Sequence, residues 1–273
     1  MPRSISIVEY KVRQAHFFLE KIAQSELDFF GVQCFVDAFA NATRSITFSM
    51  QAVVSDVQGF ARWYEDQLAG LKEDLISQFF NQYRTVSTHI GDTVVRGCEM
   101  GRDNSGRRVV KYLFVPVPDL LDVPAQDVFS ICGNHFKTLL ELVFNSFIVF
   151  RYQLDDRWYY TKENFDRLGK TIEDAEQELG FPRGWTDIGK GLSEAERWTV
   201  LRNTQTVGCQ LNDLFLGYLG KQVEGPDSGT DQRANEGELQ LPNSRGRQIR
   251  KDSSSRFPKA ENKASRRKKA EGK

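Results

Sequence analysis

The sequence predicts an all-α fold, a helical bundle with a β-hairpin insertion and a disordered C-terminal tail. Apolar residues recur every three or four positions through most of the first 90 residues. The period turns to alternation between Thr93 and Val115, and large apolar residues almost vanish after Gly220. Composition agrees with this reading. The 273 residues are 40% hydrophobic and 27% charged, enough for a sizeable core, and twenty phenylalanines make that core aromatic.

The first helix follows from Ile7, Val8, Val12, Ala15, Leu19, Ile22 and Ala23, whose steps are mostly three or four. Ser25 and Asp28 stand where the next helix would be capped. Its apolar positions Phe29, Val32, Phe35, Val36, Phe39, Ala42, Ile46, Met50 and Val53 keep the same rhythm. A third periodic stretch, from Phe60 after Gly59 through Leu71, Leu75, Phe79 and Tyr83 to Ile90, reads as one long helix stopped by Gly91. Two such helices joined by a short turn pack antiparallel.

Thr93 to Val95 and Val109 to Val115 flank the turn residues Gly101 to Gly106 and read as a β-hairpin at about 93–116, closed off by Pro116 and Pro118. Val128 to Phe150 is apolar on most faces, so it is the expected central helix of the bundle. A more polar helix is expected from Thr161 to Leu179. Ser193 with Glu196 forms a capping box for a last helix reaching about Leu219. The folded unit is therefore expected over residues 1–220, and 221–273 is expected to be a disordered basic tail, too poor in apolar residues to offset its ordering entropy.

The formal net charge of zero conceals a division. Residues 245–273 hold twelve Lys or Arg against three acidic residues, so the tail carries +9 and residues 1–244 carry −9. The cluster Arg266-Arg267-Lys268-Lys269 suits RNA phosphates, or a solvated tail attracted to the acidic body. Cys34, Cys98, Cys132 and Cys209 are isolated in sequence and read as buried thiols of a reducing compartment. They form neither a disulfide framework nor a metal site, and no cofactor is indicated. No apolar run reaches membrane-spanning length, and Met1 to Tyr10 has no signal-peptide character, so a cytoplasmic protein with no membrane partner is expected.

The chemistry-bearing residues gather where the third periodic stretch ends. The chain has three histidines, and one of them, His89, stands five residues after Arg84. Imidazole takes and gives protons at neutral pH, and guanidinium suits phosphate. On an α-helix the two lie about 140° apart around the axis, while Thr85 shares the face of His89. A groove holding Arg84, Thr85 and His89 is feasible, with Arg44 and Asn41 lining it from the second helix as substrate-binding residues. Metal-independent RNA cleavage needs a base, an acid and a cation for the developing phosphorane charge. One histidine and one arginine supply part of that list, so any active site is expected to be composite across a two-fold homodimer interface. The competing readings are a helix-end histidine bonding the last carbonyls for His89 and an ordinary solvated face for Asn41 and Arg44. His16 and His135, beside phenylalanines, read as core-edge histidines.

The stretch Ala38-Phe39-Ala40-Asn41-Ala42-Thr43-Arg44-Ser45-Ile46-Thr47-Phe48-Ser49-Met50-Gln51, then Trp63-Tyr64, then Arg84-Thr85 with His89-Ile90-Gly91, resembles the HEPN superfamily of higher-eukaryote and prokaryote nucleotide-binding domains over Phe17 to Gly91. The resemblance implies an all-helical, usually dimeric bundle whose R-x4-6-H arginine and histidine cut RNA without metal. Such proteins often serve toxin-antitoxin or phage-defence systems, so an antitoxin-like protein partner is implied as well. Thr85 stands where the family commonly has asparagine. Arg202-Asn203 resembles a second start of the motif, with Val207 at the histidine position. Two functions therefore stay open: a metal-independent endoribonuclease using Arg84, Thr85 and His89, and a non-catalytic HEPN-like module binding RNA, a nucleotide or a protein partner through the same groove.

Overall fold

The computed structural model describes residues 4–102, 106, 108–187 and 191–227. It is mainly helical with one two-stranded antiparallel hairpin, the architecture the periodicity predicts. Helix α1 (Ser6–Gln24) lays Val8, Val12, Ala15, Leu19 and Ile22 against α2 (Phe29–Val54), which presents Val32, Val36, Phe39, Ile46 and Met50 in return. Burying a Val, Leu or Ile side chain contributes roughly 1.5–3 kcal/mol, so this seam is a main source of stability. The cap of α2 is Asp28, whose carboxylate accepts from the Gly31 N–H at 2.9 Å, while Ser25 closes α1 instead.

The third periodic stretch is not one helix. α3 (Phe60–Glu73) stops at Asp74, whose backbone is extended (ψ 116°), and α4 (Leu75–Thr85) restarts with the Asp74 carboxylate accepting from the Ser77 N–H at 2.8 Å. Aspartate favours this role because its short acceptor satisfies a helix's orphan N–H groups. Leu75, although in rhythm with Leu71 and Phe79, is 78% exposed. Beyond α4 the helix widens into a π-turn over Val86–Ile90. It closes with the Gly91 N–H bonded to the Val86 carbonyl at 3.1 Å, and Gly91 takes the left-handed conformation that stops it.

The hairpin pairs β1 (Val95–Arg102) with β2 (Arg108–Phe114), and a bulge lies between Val95 and Gly97. It is tied to the bundle by Tyr112, whose hydroxyl donates to the Glu26 carbonyl, and by Phe114 against Phe79. Helix α5 (Val128–Val149), capped by Asp127, runs through the middle with Ile131, Phe136, Leu140, Val143 and Phe147 buried, as a helix apolar on most faces must.

After α5 come two single-turn helices, α6 (Arg151–Leu154) and α7 (Asp156–Tyr159). The expected helix from Thr161 to Leu179 is two: α8 (Lys162–Leu168), ended by Gly169 at φ 66°, and α9 (Ile172–Glu178), opened by a capping box of Thr171 and Asp174. The last stretch is also two: α10 (Glu194–Gln205), opened by the predicted Ser193–Glu196 capping box, and α11 (Asn212–Leu219). Between them Gly208 lies against the Arg157 guanidinium, which would have to shift to admit a Cβ. Phe165, Ile172, Ala175, Trp198 and Leu201 form a second, smaller core beside the main one.

Ordered chain does not stop at Gly220. Val223 is 2% exposed and its backbone is clasped on both sides by the Asn212 side chain. Asp227 pairs with Arg202, the guanidinium Nε lying 2.9 Å from the carboxylate. The start of the expected tail, Lys221 through Asp227, is thus packed by the buried Val223, the Asn212 clasp and ion pairs of Lys221 with Glu141 and of Asp227 with Arg202. Residues 228–273, with the basic cluster, lie outside the described residues. The cysteines also depart from expectation: Cys132 and Cys209 are buried, whereas Cys34 and Cys98 are exposed. Among the described residues, no helix is long and apolar enough to cross a membrane.

Candidate functional site

The expected groove resolves into separate places. Arg84 and Arg44 line one cleft of about 250 Å³, whose walls come from α2, α3, α4 and α5. Each wall is a helical stripe. Thr43, Arg44 and Thr47 come from α2, Leu68, Leu71 and Lys72 from α3, and Ser77, Asn81 and Arg84 from α4, each set holding pairs three or four residues apart. Leu139 and His135 close the side formed by α5.

The cleft is positively charged. Its lining carries two arginines and a lysine and no carboxylate. Arg84 is half-buried, and its Nε is sealed from the surface with no hydrogen-bond partner among the described residues. A buried unpaired donor on a cation is costly. Arg44 is held over the exposed ring of Phe48, 4.3 Å from its centroid, which fixes the guanidinium near the cleft.

His135, expected as a core-edge histidine, is one, and it also closes a wall of the cleft. It is 6% exposed and stacked on Phe80 with ring centroids 4.5 Å apart, and its Nδ1 stands 3.5 Å from the Ser77 hydroxyl. Burial pulls its pKa down to about 4, with the Asp74 carboxylate opposing, so the ring is neutral at pH 7. Lys72, Ser77 and Asn81 were missed. The available signal was the polar stripe Ser77, Asn81 and Arg84 on an otherwise apolar helix.

The other expected residues lie outside the cleft lining. Thr85 is exposed, its hydroxyl donates to the Asn81 carbonyl at 3.1 Å, and it borders a shallow depression with Val86, Ile90 and Asp119. Asn41 is exposed and donates to the Asp37 carbonyl at 2.9 Å. His89 is exposed near the end of the π-turn and makes no hydrogen bond or ion pair to another described residue. One chain therefore joins Arg84 to Arg44 and leaves His89 outside their cleft.

The π-turn has its own anchor. The Tyr83 hydroxyl donates to the Asp37 carboxylate, tying the end of α4 to α2. Burial pushes the Asp37 carboxyl up, with Tyr83 and the Ser87 hydroxyl opposing, and burial with the Asp37 charge pushes the Tyr83 phenol far up. Among the described residues, no group of three His, Cys, Asp or Glu is placed to hold a metal ion.

No protein-family model matches the chain, and no curated protein or solved structure does.

Proposed function

We propose that this chain is a HEPN-like helical module that binds RNA or a nucleotide by its phosphate in the cleft between Arg44 and Arg84. The observation that carries the reading is a cleft lining that brings together three cations, Arg44, Lys72 and Arg84, with no carboxylate. Guanidinium presents a fork of donors matched to phosphate oxygens, and apolar walls such as Leu68, Leu71 and Leu139 strengthen the attraction by excluding water. A charge-assisted hydrogen bond contributes about 1.5–3 kcal/mol, so Arg84→Ala is expected to weaken binding of a fluorescent RNA oligonucleotide by roughly tenfold or more. Fluorescence anisotropy at several salt concentrations checks this, with circular dichroism to confirm folding. Wild-type affinity in both Arg84→Ala and Arg44→Ala would refute the reading.

A second reading, a metal-independent endoribonuclease of the toxin-antitoxin or phage-defence kind, draws on the exposed position of His89 in a π-turn. Such turns are frequent at functional sites. In this reading a homodimer brings a second His89 to the scissile phosphate, and Arg84 and Thr85 act on the phosphate and the 2′-hydroxyl. RNA cleavage is then expected to survive EDTA and to vanish in His89→Ala while folding and dimerisation persist. Equal cleavage by His89→Ala and wild type would end it.

A further inference from the structure

We infer that the Arg44–Arg84 cleft is built for a phosphomonoester, the terminal phosphate of an RNA strand or of a free mononucleotide, in preference to the internal phosphodiester of a continuing chain. The inference rests on the phosphate-binding reading above and adds the class of phosphate.

Charge is the first reason. A phosphomonoester carries about −1.5 to −2 at pH 7 and three strong acceptor oxygens, whereas a diester carries one negative charge. The cleft offers Arg44, Lys72 and Arg84 with no carboxylate in its lining, an excess that a single diester charge leaves uncompensated. Asp74, the cap of α4, accepts from the Ser77 N–H and lies outside the lining.

Shape is the second reason. The cleft, about 250 Å³, falls below the roughly 300–1,000 Å³ of pockets that hold drug-sized ligands, which leaves space for a phosphate and part of its sugar. One wall is formed by Ser77 and His135, which are 5% and 6% exposed, so the chain of a polymer meets buried side chains there. Ser77 supplies a hydroxyl donor beside His135, and with the imidazole neutral that wall adds no charge of its own, leaving the cations to set the preference.

The experiment is a competition titration by fluorescence polarisation with RNA oligomers of one sequence carrying a 5′-phosphate, a 3′-phosphate or only hydroxyl ends, and with AMP as free nucleotide. At least one phosphorylated oligomer, or AMP, is expected to compete about tenfold or more better than the hydroxyl-ended oligomer. Lys72→Ala, an exposed change that leaves folding intact, and Arg84→Ala are expected to shrink that difference. AMP matching the phosphorylated oligomer identifies a free nucleotide as the ligand; AMP failing where the oligomer succeeds identifies an RNA end. Equal binding of all forms, still lost in Arg84→Ala, would overturn the monoester preference and leave phosphate binding standing. Binding indifferent to Arg84→Ala would overturn both.

Discussion

At the scale of single residues, His135 carries the clearest thermodynamic consequence. Its folded pKa, about 4, lies below the ordinary histidine value of about 6.5, so between those values the unfolded chain binds more protons than the folded one. Stability from this group is complete above pH 6.5 and is lost as the pH falls toward 4. At about 1.4 kcal/mol per unit, that loss is about 3 kcal/mol. Asp37 and Glu9, whose carboxyls burial raises, act with the opposite sign elsewhere in the molecule, so the measurement is a difference. Urea unfolding of wild type and His135→Phe at pH 7 and pH 4.5 is expected to show wild type losing stability relative to the variant on acidification. A constant difference would mean that the histidine stays accessible to protons. The sequence grouped Arg44 and Arg84 in one groove, while the polar stripe of Ser77, Asn81 and Arg84 that marks the rest of its wall went unread. The sequence concealed His135, because a histidine next to Phe136 has the same pattern whether it closes a cleft or pads a core.

At the scale of elements, periodicity located every long helix and missed the breaks. Leu71, Leu75 and Phe79 keep their four-residue step across Asp74, so nothing in the apolar pattern marks the extended residue that divides α3 from α4. The same happened at Gly169 and at Thr206, where local caps outcompete continuation of the helix. The π-turn has no apolar signature at all. The elements after α5 are short and depend on polar staples, of which Glu176 is the most buried carboxylate example. It is fully buried and accepts from the Thr186 N–H at 2.8 Å and the Thr186 hydroxyl at 2.7 Å, with Arg197 beside it. Burial raises its pKa, and these bonds and the Gly184 N–H together outweigh burial, so the carboxylate stays ionised. Glu176→Ala leaves buried donors unpaired and is expected to destabilise the protein by about 3 kcal/mol, read as a lower urea midpoint. A midpoint unchanged from wild type would show that water replaces the carboxylate without loss.

At the scale of the whole molecule, the C-terminal segment from Lys221 to Asp227 joins the two cores. Val223 sits in the main one, the Glu224 carbonyl accepts from the Trp158 ring N–H at 2.8 Å, and Asp227 reaches Arg202 on α10, the helix that supplies the smaller core. Ending the chain after Gly220 removes all three ties. The expected loss is about 3 kcal/mol or more, combining valine burial with an unpaired, largely buried Arg202, and is measured by thermal and urea melts. The composition of this segment conceals its role, because a lone apolar residue among Lys, Glu, Gly and Pro resembles the polar chain that follows.

The four thiols divide the molecule in time as well as in space. Alkylation requires a thiolate that a reagent can reach, and Cys132 and Cys209 are buried with their pKa values raised, Cys209 to about 12. Cys34 and Cys98 are exposed and will be modified at once in the folded protein. The two slow reactions then become clocks: Cys132 in the first turns of α5 reports opening of the main core, and Cys209 between α10 and α11 reports release of the C-terminal end. Their relative rates under native conditions would reveal whether the molecule breathes as one cooperative unit or lets its last 20 described residues go first.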